Sequence, residues 1–194
     1  MSFIDTIPDT DIDADVRAMY ARQEAFWGVV PNYARVFCYR PDIMRLWGQL
    51  QAGIKHSMDK RRFELVTFAA STALRSTLCS LAHGKALTHF IPMEDVQAIV
   101  RGETPGSLTA AEIEMMSFGR LVATDATSVT RADIDRLKQH NFSDAEIFDI
   151  AATAAARAFW TKLLESLGVE AEPILGTMDK SFVETLSVGR AARI

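Results

Sequence analysis

From Glu64 to His83 the chain reads ELVTFAASTALRSTLCSLAH, a stretch that carries a carboxylate, a thiol and an imidazole. Cys79 and His83 are four residues apart. On a helix that spacing puts both side chains on one face, one turn from each other, near enough for the imidazole to exchange a proton with the sulfur. Glu64 stands fifteen residues before Cys79. Two helices divided near Arg75 and Ser76 and packed side by side would fold it back toward the same face. A thiol, a base and an orienting acid are the parts of an activated nucleophile. Each residue alone has a plainer role. Cys79 would be a small hydrophobe, His83 a surface or satisfied core histidine, Glu64 a first-turn carboxylate favoured by the helix dipole, and Ser76 a helix cap. The shared face favours chemistry for the Cys79–His83 pair.

Placing these residues requires helices, and the chain is punctuated for them. Residues 1–10 form an extended lead-in, and an Asp-rich start opens a helix over about 13–27 carrying Val16, Met19, Tyr20, Phe26 and Trp27, closed by Gly28. Pro31 begins a short helix to Tyr39, and Pro41 begins PDIMRLWGQLQAGIKHS. Its residues Ile43, Leu46, Trp47, Leu50 and Ile54 recur at three-and-four spacing, the mark of a packing helix. Asp59 caps the next helix, which is apolar nearly all round and so reads as buried, with Glu64 inside it. Burial should raise the proton affinity of that carboxylate unless a partner holds its charge. Ser76 or Thr77 then caps a helix through Phe90, with Cys79 in or near its first turn, where free amides and the positive dipole end favour a thiolate.

Beyond PMEDVQAIVRG, a further short helix, and the loop GETPGS come three starts: Thr109 with Glu112, Thr130 with Asp133, and Ser143 with Glu146. The first and third are capping boxes and the second a near match. They open helices over about 109–124, 130–139 and 144–167, followed by a weaker one from Lys180 to Leu186. No segment alternates like a strand, so the reading is a single all-α domain. The chain also repeats at an offset of 82 residues, aligning ELVTFAASTALR from Glu64 with EIFDIAATAAAR from Glu146. Arg75 then matches Arg157, Cys79 meets Thr161 and His83 meets Glu165. Two related helical halves would result, only one of them carrying the thiol and imidazole.

Composition narrows the function classes. At 194 residues the chain buries a core without disulfide or metal staples, and a formal charge of −4 with no basic run argues against a nucleic-acid surface. The acidic N-terminus lacks a signal-peptide pattern and no apolar run approaches eighteen residues, so a cytoplasmic protein with no membrane span is expected. Two cysteines, Cys38 and Cys79, are too few for a secreted framework. Cys38, amid VFCYRP, reads as a core or interface residue, and as a resolving thiol only where the fold brings it within disulfide reach of Cys79. Cys79, His83 and His89 do not make a metal set, there being no CxxC, HExxH or acidic cluster, and no glycine-rich phosphate loop is present. Neither metal nor cofactor is expected. Trp27, Trp47 and Trp160 lie at helical core spacing, and aromatic walls would suit an apolar substrate.

The Glu64–Cys79–His83 arrangement resembles the motif of the alkyl hydroperoxidase D-like, or carboxymuconolactone decarboxylase, family: a Glu, then Cys-x-x-Cys, then a His four residues on. Ser76 stands where redox members carry their first Cys. The resemblance extends from PNYARVF near residue 31 to FSDAEIFDIAATAAARAFW and LGVEAEP. It implies an AhpD-like helical bundle, a homo-oligomer, and a catalytic set of Glu64, Cys79 and His83. It also implies reduction of hydroperoxides by the Cys79 thiolate; with Ser76 in the resolving place, an external thiol or Cys38 must recycle the sulfur. A second implied activity is lyase chemistry on a carboxylated lactone by acid–base steps, for which no Arg clamp is evident. The third reading is a non-catalytic or redox-responsive helical assembly.

Overall fold

In a computed structural model, the structure describes residues 2–191; residue 1 of the expected lead-in and residues 192–194 lie outside them. Among the described residues there are ten α-helices and no strand: α1 Ala14–Trp27, α2 Asn32–Val36, α3 Pro41–Ser57, α4 Lys60–Ala73, α5 Thr77–Leu87, α6 Met93–Val100, α7 Ala110–Asp125, α8 Arg131–Gln139, α9 Asp144–Ser166 and α10 Lys180–Leu186. Short 3-10 turns occupy Phe37–Tyr39, Ala126–Ser128 and Pro173–Thr177. The all-α expectation holds, and the starts are those the caps announce. Asp13 accepts from the Val16 amide and Asp59 from the Arg62 amide. The boxes of α7 and α9 are both closed. On α8 the near match also works, because Asp133 reaches back to the Thr130 amide at 2.7 Å.

At the centre lies α4, packed against α5, α7 and α9. Its Leu65, Val66, Phe68, Ala69 and Ala70 are all fully buried, as an all-round apolar helix must be. Each large side chain among them contributes about 1.5–3 kcal/mol by leaving water, and Phe68→Ala would cost about 3–5 kcal/mol. One polar junction ties this helix to its surroundings. Arg61, in its first turn, donates to Glu112 at 2.5 Å and to the carbonyls of Phe90 and Ser107 at 2.9 and 2.8 Å. That joins the starts of α4 and α7 to the turn before α6. On the far side, Gly84 of α5 admits α10: a Cβ there would meet Leu186 Cδ2 at 2.2 Å.

Several expectations about which side chains are buried are corrected. Phe26 is 78% exposed and Trp27 44%, because α1 buries only Val16, Met19 and Tyr20; Trp27 donates instead to the Tyr33 hydroxyl at 2.7 Å. On α3 the inward strip runs through Met44, Trp47 and Ile54, leaving Leu46 and Leu50 half exposed on the neighbouring strip. Helix α5 stops at Leu87 rather than Phe90, since Pro92 cannot extend it and residues 88–90 close a turn first. Among the described residues no helix is long and apolar enough to cross a membrane.

Candidate active site

The site begins with the break between α4 and α5. Arg75 adopts φ +57°, and the Ser76 amide returns to the Ser71 carbonyl at 3.1 Å while the Arg75 amide returns to Thr72 at 3.0 Å. This is a Schellman closure with an arginine at the left-handed position. The chain turns sharply and starts a new helix at once. Ser76 becomes its N-cap, accepting from the Cys79 amide at 3.4 Å, and its hydroxyl donates to Glu165 Oε1 of α9 at 2.7 Å. Cys79 is thereby set in the first turn of α5, only 3% exposed.

Around the sulfur stand two side chains of α9. Thr161 Oγ1 donates toward Cys79 Sγ at 3.6 Å, and Arg157 Nη1 lies 3.9 Å away, at the outer edge of N–H···S contact. Arg157 is 6% exposed, and its Nε is buried with no hydrogen-bond partner among the described residues. Its guanidinium lies 5.9 Å from the centre of the Trp47 ring, which stacks on Trp160 at 4.7 Å, with Phe37 against the other tryptophan at 5.3 Å. A cation this deep is costly unless an anion compensates it. The Glu64 carboxylate feels this charge, and the Cys79 sulfur lies beside it.

One turn on, His83 Nδ1 pairs with Glu64 Oε2 at 2.7 Å. Glu64 lies beyond the first turn of α4, so the helix-dipole explanation for it does not apply. Burial pushes the Glu64 carboxyl up, but the His83 hydrogen bond and charge, with help from Lys55 and Arg157, hold it below the ordinary carboxylate range. His83 is held below its ordinary value by burial and by the charge of Arg157, against the pull of Glu64. With Nδ1 engaged by the Glu64 carboxylate, Nε2 is the ring nitrogen left to exchange a proton. Among the described residues no hydrogen bond joins His83 to Cys79; the ring is paired with Glu64 of α4 instead.

Cys38 has different company. It lies buried in the Phe37–Tyr39 turn, its sulfur accepting from the Ile7 amide at 3.4 Å. It neighbours Tyr20, whose phenol burial and then the cysteine push up to about 12. Both cysteines are free thiols. Among the described residues no three His, Cys, Asp or Glu side chains come together in a way that could hold a metal ion.

Arg157 and Thr161 are the site residues that motif reading passes over. Two signals pointed to them. The 82-residue offset sets Thr161 opposite Cys79, and Arg157 is the only charged side chain in IAATAAARAFW. Neither tells that the two helices face each other at that height.

No protein-family model matches the chain, and no curated protein does. Solved structures do. A peroxidase-related protein from Ralstonia eutropha JMP134, described as an alkylhydroperoxidase AhpD core, superposes with a TM-score of 0.74 at 21% identity, over 97% of this chain and 98% of its own. A peroxidase-related protein from Silicibacter sp. TM1040 gives 0.78 at 16% identity, over 91% and 94%. A cysteine-to-alanine variant of the debrominase Bmp8, solved with 2,3,4-tribromopyrrole, gives 0.73 at 16%, over 93% and 95%. The chain shares its whole architecture with proteins of differing activity, and its fold is the AhpD-like fold of the peroxidase-related proteins.

Proposed function

We propose that the protein is a thiol-dependent reductase of hydroperoxides in which Cys79 is the reacting atom. The observation that carries this reading is a buried free thiol whose side-chain polar neighbours are a buried guanidinium and a hydroxyl donor. A guanidinium and a hydroxyl donor held beside the sulfur are placed to stabilise negative charge that develops there in the reaction. His83, oriented by Glu64 through Nδ1, takes the proton through Nε2, directly or across one water. The thiolate then attacks the outer peroxide oxygen. An S–O bond forms, the O–O bond breaks, and the departing alkoxide takes its proton from the His83 imidazolium. Sulfur has given up two electrons and is a sulfenic acid.

Ser76 has no sulfur with which to resolve that species. An external thiol condenses with it, releasing water and leaving a mixed disulfide, and a second thiol frees Cys79 as the external disulfide departs. The stacked tryptophans beside Arg157 suit a peroxide with an apolar body.

Arg157 also favours a second reading, since it supplies the carboxylate clamp that lyase chemistry on a lactone would need and that the motif lacks. One experiment separates the two. Wild type, Cys79→Ser and Glu64→Gln are mixed with tert-butyl hydroperoxide, and sulfenic acid is trapped and counted by mass spectrometry. Rapid trapping at Cys79, slowed by Glu64→Gln, is the expected result. A sluggish thiol indifferent to Glu64 would sink the reductase and leave lactone turnover as the assay to run.

A further inference from the structure

We propose a second binding site, for a small organic carboxylate with an apolar body, in the cavity between the C-terminal end of α4, helix α6 and helix α7. The cavity holds about 340 Å³, within the range of small-ligand sites. Its lining is mixed: Ile99, Ile113, Met116 and Val188 give it an apolar side, Thr72 and Thr104 a polar one, and Arg120 one cation. None of Glu64, Cys79, His83 or Arg157 lines it, so it is separate from the thiol site.

Helix periodicity explains the arrangement. Ile113, Met116 and Arg120 are three and four residues apart on α7, so they share a face. That face lends two apolar side chains to the wall and one guanidinium to the end. Arg120 is half-buried, and among the described residues its guanidinium has neither a carboxylate nor a hydrogen-bond partner. Burial alone pushes its proton affinity down. The one carboxylate lining the cavity, Glu103, is held at 2.8 Å by Arg101 and stands 57% exposed. Arg120 is thus a desolvated cation with an open fork, and a planar carboxylate fits that fork with two parallel hydrogen bonds. An alcohol or amide of the same shape would leave the charge uncompensated. The apolar side of the lining takes the rest of the ligand.

The probes are benzoate and 3-phenylpropionate, with benzyl alcohol and 3-phenylpropanol as neutral counterparts, measured by calorimetry and saturation-transfer NMR at low salt. The expected result is binding of the carboxylates at least tenfold tighter than the alcohols. Arg120→Met should lose at least tenfold while its thermal unfolding stays cooperative, Arg120→Lys should fall between, and Arg157→Met should bind as wild type does. Equal binding of alcohols and carboxylates, undiminished binding in Arg120→Met, loss in Arg157→Met instead, or no binding up to about 10 mM would each overturn the proposal. Should Arg120→Met not fold, Ile113→Trp fills the cavity, and unchanged affinity in that variant would overturn it equally.

Discussion

Glu64 and Glu146 stand 82 residues apart in matching stretches, yet one orients a histidine and the other closes a helix end. Glu146 accepts from the Ser143 amide and hydroxyl at 2.8 Å, and from Arg62 at the same distance, so its charge is spent on capping α9. Glu64 has no cap to make, because Asp59 already serves α4. The larger difference lies further on. After Arg75 the first copy breaks and restarts as α5, while at Arg157 the second runs on unbroken within α9. Arg75 is therefore exposed, with its Nε on the Val188 carbonyl, whereas Arg157 is buried against the sulfur. The break gives Cys79 a fresh helix start, and the unbroken copy provides the cation beside it. Cys79 touches its own counterpart, Thr161, at 3.6 Å. Two copies of one pattern have become two walls of one site.

Moving the thiol across this contact is the strongest test of that view. Cys79→Thr combined with Thr161→Cys keeps the atoms and exchanges their helices. Sulfenic acid formation should fall to the uncatalysed level, as it should in Cys79→Ser, because the transplanted thiol loses its helix start and has Glu165 rather than His83 one turn on. Retained activity in the exchanged protein would mean that the break in the first copy is incidental. Next in size is Arg157→Met, expected to slow thiol oxidation by about a hundredfold, in line with the loss of one charge-stabilising donor. Arg75→Met should leave the rate alone, and stopped-flow measurement of both compares the two arginines directly.

The two glutamates should differ in their effect on rate. Glu64→Gln is expected to slow the reaction by about 10²-fold, the scale of general-base assistance, with a denaturant midpoint lowered at neutral pH by the loss of the charged pair. Glu146→Gln should cost about 1 kcal/mol through the weakened cap and spare the rate.

Smallest is the pH effect. Both partners of the Glu64–His83 pair have their proton affinities lowered in the folded state. The unfolded chain therefore binds protons first. Stability from His83 is complete above about pH 6.5 and falls as pH drops from there; that from Glu64 is present above its unfolded value near 4.3 and is lost as pH falls through the folded one. Urea titrations between about pH 7 and 4 should show this acid loss in wild type and a shallower loss in His83→Gln. Equal slopes in the two proteins would remove the pair from the account.

Much of the helical frame was legible because its signals are local. Asp13, Asp59, Ser76, Thr109, Thr130 and Ser143 mark starts through contacts within three residues, and Gly28 marks an end through its positive φ. The Glu64–His83 pair was legible in part. The motif placed both residues near Cys79, but which of them the imidazole would bond depended on how α4 and α5 lie together. Burial was read less well: Leu46 and Leu50 have the spacing of a core strip, and only the seat of α3 against α9 decides that Trp47 and Ile54 take it.

By itself the amino-acid sequence determined the helices, their caps, the all-α class and the thiol at a helix start, since each follows from interactions within a turn or two. Tertiary structure alone decided that Arg157 and Thr161 of α9 stand at the sulfur, that Glu64 claims the imidazole, and that Arg120 is left without a counter-charge. The physical reason is range. Charge compensation in a low-dielectric interior depends on distance in space, and Cys79 and Arg157 are separated by 78 residues of chain but by 3.9 Å across the helix packing.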